Sequence, residues 1–188
     1  MSRTRRLSSV AILALLASFL IAPSAGDALQ ATGVPVSTRV TQANGVTREV
    51  LSDGTPLAAP GQTLSLVRFT FAPGAVIAPH THPGEQAVSV VSGTLGYTVL
   101  CSRADVVRAS VDGAPQVRER LNPGPEVMFQ PGDSFTEVEG IVHFGRNAGS
   151  GPLVLLVASL FASDASVSSP AAPLPNVAQG INGQVSYC

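Results

Sequence analysis

The sequence predicts an all-β fold, a sandwich or barrel of short strands, and three observations predict it. Apolar and polar residues alternate with a period near two in runs rich in Val, Thr, Phe and Leu. Gly, Pro, Asn or Asp bound each run, and the chain holds 18 Gly and 15 Pro. Charged residues make up 12% of the chain, about half the usual share of roughly 25%, which argues against long solvated helices and coiled coils.

The elements follow in chain order. Arg3, Arg5 and Arg6 precede an apolar run over 10–22, and Pro23, Ser24, Ala25 and Gly26 come after it. That is the layout of a secretory signal peptide, read here as residues 1–28. At about 1.5 Å per residue the run spans roughly 20 Å, short of a hydrocarbon core of roughly 30 Å, so a cleaved leader fits better than a permanent anchor. Twin-arginine export is a second route, although Leu7-Ser8-Ser9 lacks the apolar residues expected there. The expectation is a secreted or periplasmic protein with no membrane span after cleavage.

Residues 29–60 read as an extended arm and first strands, 61–162 as a single barrel, and 163–188 as an Ala/Ser/Pro-rich tail. Strands are expected at 37–41, 48–51, 64–72, 86–92, 94–101, 106–111, 116–121, 127–130, 134–138, 142–146 and 153–161. Turn chemistry separates them, for example at Ser52-Asp53-Gly54, Pro73-Gly74, Ser92-Gly93, Asp112-Gly113 and Pro131-Gly132-Asp133.

The 11 basic residues are all Arg, are scattered, and face 12 acids for a net charge of -1. Nucleic-acid binding has no electrostatic support. In an oxidising compartment Cys101 and Cys188 are the available pair. A disulfide between them would pin the tail to the domain and stabilise it by at most roughly 4 to 5 kcal/mol. Two unpaired thiols are the alternative.

The 3 histidines are His80, His82 and His143. His80 and His82 project to one face if the segment is extended, about 6.5 to 7 Å apart, close enough to converge on one divalent ion. Gln86 then enters a strand on the same parity as Val88 and Val90, either as a third polar group on the wall of an apolar pocket or at a solvated strand end.

Gly74, His80-Thr81-His82, Gln86 and Gly93 together resemble the first motif of the cupins, in which the Gln86 position is usually Glu. Pro131-Gly132-Asp133, His143 and Asn147 resemble the second. The resemblance covers about 64–161 and implies a double-stranded β-helix, or jelly-roll, barrel. It also implies a mononuclear metal held by three His and one carboxylate, with His80, His82 and His143 on the His positions. Gln86 stands at the fourth, and Glu85 could replace it only if the Pro83-Gly84 turn is bulged. A neutral amide would leave the site one unit more positive and favour a divalent ion, one of Mn, Fe, Zn, Ni or Cu.

Cupins that cleave flavonols use the ligand Glu as a base, which Gln86 would remove; cupins with Gln there resemble manganese-dependent cyanohydrin lyases. The implied function is an exported small-molecule metalloenzyme, a lyase, isomerase or dioxygenase. The alternative is a non-catalytic metal or small-ligand binding protein outside the cytoplasm, and fold alone does not separate the two. Edge-strand pairing into a homodimer is a family expectation. Glu137 and Glu139 could act as general base or as partners of the ligands, or could be solvated. Asn147 reads as structural, while Phe71, Phe129, Phe135 and Phe144 read as barrel filling. Arg68 and Arg146 could bind an anionic substrate or simply be exposed.

Overall fold

The alternating runs form 13 strands in two antiparallel sheets, in a computed structural model that describes residues 39–110, 112–114, 116–173 and 187–188. In chain order these are β1 (Arg39–Thr41), β2 (Val46–Gly54), β3 (Gln62–Phe71), β4 (Val76–Thr81) and β5 (Gly84–Ser92). Next come β6 (Leu95–Cys101), β7 (Ala104–Val107), β8 (Arg118–Leu121) and β9 (Val127–Phe129). The last four are β10 (Ser134–Glu137), β11 (Val142–Asn147), β12 (Leu153–Ala162) and β13 (Ser169–Pro170). The larger sheet has the order β1-β2-β3-β12-β5-β10-β7-β8, and the smaller β13-β4-β11-β6-β9. This is the jelly roll that the sequence predicts. The segment read as a signal peptide lies outside the described residues, and among those described no helix is long and apolar enough to cross a membrane.

Period-two alternation decides which side chains meet between the sheets. Along β12 it is complete: Leu153, Leu155, Val157, Ser159 and Phe161 are buried, with every residue between them half-buried. Val88 and Val90 of β5, Leu95, Tyr97 and Val99 of β6, and Phe129 and Phe135 join Phe71, Leu153, Leu155 and Val157 in one core. Phe144 is a correction, because it follows inward-facing His143, sits half-buried on the opposite face, and does not fill the barrel.

Two glycines of the first motif have steric reasons. Gly84 has φ 151° and a side chain there would collide with the Leu160 carbonyl; at Gly93, φ 81°, a Cβ would lie 2.7 Å from the Pro152 carbonyl oxygen. The second motif's Asp133 is a buried staple. Its carboxylate accepts from the backbone N–H of Gln130 at 2.9 Å and Ala109 at 2.8 Å and from Arg108 at 3.1 Å. Arg108 also lies 4.5 Å from the Phe129 ring centroid. Those contacts take the chain out of the ladder, so the strand expected at 106–111 ends at Val107.

β4 was not among the expected strands. It pairs with β11 through His80↔His143 and Ile77↔Gly145, so three steps along β4 match two along β11. The extra residue is a bulge beside Pro79, which has no N–H to give to a ladder. Beyond β12 the chain returns as β13, with Pro170 opposite His80, and Cys188 is disulfide-bonded to Cys101 at the end of β6. The pairing expected from sequence is therefore present.

Candidate metal centre

β4, its continuation and β11 bring the three histidines together. Their ligand atoms all lie within 4.8 Å of one another, and the His80 and His143 ring centroids are 4.3 Å apart. The β4 bulge is what lets this happen, since it turns His80 inward although Ile77 also faces the interior.

Each ring is oriented by a backbone carbonyl. Nδ1 of His80 lies 2.8 Å from the Ala78 oxygen, that of His82 2.7 Å from the Val167 oxygen, and that of His143 3.4 Å from the Ile141 oxygen. A carbonyl only accepts, so each Nδ1 carries the proton and each Nε2 keeps a lone pair. Three neutral imidazoles with Nε2 free and Nδ1–H anchored to backbone are the donor set that a divalent transition metal takes.

Burial keeps two of the rings, those of His82 and His143, neutral. The pKa of His82 falls from 6.5 to about 4, mainly through desolvation, with the Glu137 carboxylate acting in the other direction. That of His143 falls to about 3 through desolvation and the neighbouring His80.

Glu137 borders this cluster on the side of His82 and His143. It ends β10 opposite Gln86 of β5 and is 3% exposed. Its Oε1 accepts from the Tyr97 hydroxyl at 2.9 Å, and its Oε2 accepts from the Gln86 amide at 2.9 Å. The same carboxylate lies 3.2 Å from Nε2 of His143 and 3.8 Å from Nε2 of His82. Desolvation raises its pKa, and it raises that of Tyr97 in turn. Gln86 is itself held, because its Oε1 accepts from the hydroxyl of Ser159 at 3.1 Å.

The other candidates lie elsewhere. Glu85 and Glu139 are exposed, and with no register shift at the start of β5, Glu85 faces away from the histidines. Arg68 pairs with Glu49 at 3.0 Å, and Arg146 forks onto Glu126 at 2.6 and 2.7 Å. Asn147 binds backbone, as expected. Tyr97 and Ser159 had no signal in the sequence beyond their inward parity.

The histidines, Gln86, Tyr97 and Glu137 form the polar end of a cavity of about 70 Å³ whose remaining wall includes Phe69, Phe71, Val88, Phe135 and Leu155. A water needs roughly 10–15 Å³ of such space, so there is room for an ion with a few waters, or for a ligand of few atoms.

An all-β jelly roll with three converging imidazoles inside it defines a class of metal-type barrel. The family model described as Cupin matches residues 36–185, and the chain belongs to that family. Germin-like protein 4-1 of Oryza sativa subsp. japonica is 30% identical over 130 residues, covering 69% of this chain and 45% of the relative. Germin-like protein subfamily 3 member 3 of Arabidopsis thaliana is 33% identical over 111 residues, covering 55% of this chain and 44% of the relative. The chain thus spans less than half the length of these curated relatives. Among solved structures, KdgF from Halomonas sp. aligns with a TM-score of 0.44 and 20% identity, over 65% of this chain and 84% of that one. Oxalate decarboxylase from Bacillus subtilis aligns with a TM-score of 0.44 and 21% identity, over 69% and 28%. Likenesses this remote say nothing about activity.

Proposed function

We propose that the protein is an exported metalloenzyme that holds one divalent transition-metal ion through His80, His82 and His143, with the Gln86–Glu137 pair at the fourth position. The observation that carries this reading is the tautomer set: three Nδ1–H groups anchored to carbonyls leave three Nε2 lone pairs within one small space. Such an ion, when bound, supplies Lewis acidity toward a substrate oxygen or a centre for oxygen chemistry.

The chain's own residues bear on the substrate class in this reading. The cavity is small and its far wall apolar, and Arg68 and Arg146 are paired outside it. A small, mainly apolar molecule carrying one metal-seeking oxygen fits better than a dianion. Glu137 is placed to take or return a proton from such a substrate, with Tyr97 steadying the carboxylate. Export is supported by the Cys101–Cys188 disulfide, which oxidising compartments maintain.

The test is metal analysis by plasma mass spectrometry of protein exported from cells grown in mixed trace metals, beside the double variant His80→Ala, His82→Ala. About one equivalent of one metal, lost in the variant, is the expected result. A folded, monodisperse wild-type sample that takes up no metal even on reconstitution would refute the reading. Lyase, isomerase and oxygenase screens then follow the chemistry of the metal found.

A further inference from the structure

Resting on that metal reading, we infer that the carboxylate of the site comes from Glu137 on β10, and that Gln86 is its positioning residue and not a ligand. The motif position on β5 would otherwise supply the fourth donor. The two residues are cross-strand partners, so a carboxylate moved from one strand to its neighbour reaches the same end of the cavity.

Three observations carry this. First, two donors each about 2.1 Å from one ion stand roughly 3.0 Å apart at a right angle and roughly 3.4 Å apart at the tetrahedral angle. Oε1 of Glu137 lies 3.2 Å from Nε2 of His143, within that range, while Oε2 lies 3.8 Å from Nε2 of His82, a little beyond it. Second, Nε2 of His143 lies 3.2 Å from Oε1 of Glu137, so the two share a positive charge between them, a proton in the metal-free protein and the ion in its place when metal binds. Third, both functional ends of the Gln86 amide are already committed. Its NH₂ donates to Glu137 and its oxygen accepts from Ser159. Rotating the amide to offer its oxygen to the histidines would replace the bond to Glu137 by an oxygen–oxygen contact, whereas the Ser159 hydroxyl, which both donates and accepts, would be satisfied either way. The Tyr97 hydroxyl and the Gln86 amide instead hold the two carboxylate oxygens in place while leaving each a further lone pair.

The consequence is electrostatic. A Glu137 ligand restores the negative charge that Gln86 lacks, so the loaded site carries one positive charge less than a site of three His and Gln. A ligand relocated in this way leaves the first motif looking defective in the sequence while the donor set stays complete.

Cobalt(II) titration followed by calorimetry and by visible absorption tests the assignment on the full exported chain. Glu137→Gln, which keeps the side-chain shape, is expected to weaken cobalt binding by more than about 100-fold and to change the ligand-field bands. Gln86→Ala and Ser159→Ala, which act through the position of Glu137, should weaken binding only within the roughly 10–100-fold range of an outer partner and keep the bands. Thermal melts of the metal-free variants establish that each is folded, and Glu137→Asp, with its shorter reach, serves as a second carboxylate probe expected to bind weakly with shifted bands. Unchanged affinity and bands in Glu137→Gln, together with loss of binding in Gln86→Ala, would overturn the assignment in favour of Gln86. Wild-type protein that binds no cobalt would instead refute the metal reading itself.

Discussion

Replacing Asn147 by Asp changes one group at a site that is 1% exposed, and its cost can be worked from the contacts. The Asn147 Nδ2 donates to the carbonyls of Phe71 at 3.1 Å, Ala72 at 3.2 Å and Gly151 at 2.8 Å, while its Oδ1 accepts from the Gly149 N–H at 2.9 Å. Two amide hydrogens thus serve three carbonyls from the end of β3 and the turn before β12. Aspartate keeps the volume and the Gly149 bond but turns the donor end into an acceptor facing acceptors. Losing two buried donors at about 1–3 kcal/mol each gives a penalty of roughly 4 kcal/mol. For a domain of this size, with roughly 2–4 °C per kcal/mol, the melting temperature of Asn147→Asp should drop by about 8–16 °C. Asn147→Ala, which opens space that water can enter, should fall by less. Circular-dichroism melts at neutral pH measure both. An Asn147→Asp protein melting within about 2 °C of wild type would show that the amide is not a structural tie and would refute the accounting.

Other outcomes follow from the same structure. Cys101→Ser with Cys188→Ser removes a crosslink spanning 87 residues; urea titration should show up to about 4.6 kcal/mol less stability, and the same shift on reduction of wild type. For the metal-free protein, His82 and His143 have folded pKa values of about 4 and about 3, below the unfolded 6.5. The unfolded chain therefore binds more protons across that window, so stability is full above about pH 6.5 and is lost as pH falls below it, on the order of 4 kcal/mol by about pH 5. The raised pKa of Glu137 has the opposite sign and blunts the slope. Urea midpoints at stepped pH, with and without added zinc, check this; bound metal keeps the histidines and Glu137 deprotonated in the folded state, so it should raise the curve at neutral pH and steepen its fall toward acid. Glu85→Gln should leave the metal content of the purified protein unchanged, since Glu85 faces solvent; a loss of metal would place it at the site.

The fold was legible where a strand has one buried face. On β5, β10, β11 and β12 the alternation Val88, Val90; Phe135, Glu137; His143, Gly145; and Leu153 to Phe161 is written into the letters. β4 was not legible, because Pro79 and two histidines break the apolar pattern, and the bulge that turns His80 inward leaves no trace in composition. His80 and His82 were paired by their spacing, and His143 joined them only through the resemblance of the second motif. Glu137 was visible only as one of two acids before a turn. Its difference from Glu139 is the register Glu137↔Gln86, a long-range pairing that a local pattern does not encode. Phe144 was misplaced for a simpler reason, since strict alternation from His143 already turns it outward.

The hydrogen bond from His82 to Val167 sets an order of assembly. Val167 follows β12, so it is synthesised after every other group of the cluster, and β13 then closes against β4 beside His80. A nascent chain that has made all three histidines still lacks the carbonyl that fixes one of them. Completion of the ion-binding geometry is thereby deferred until the polypeptide has passed the last barrel strand.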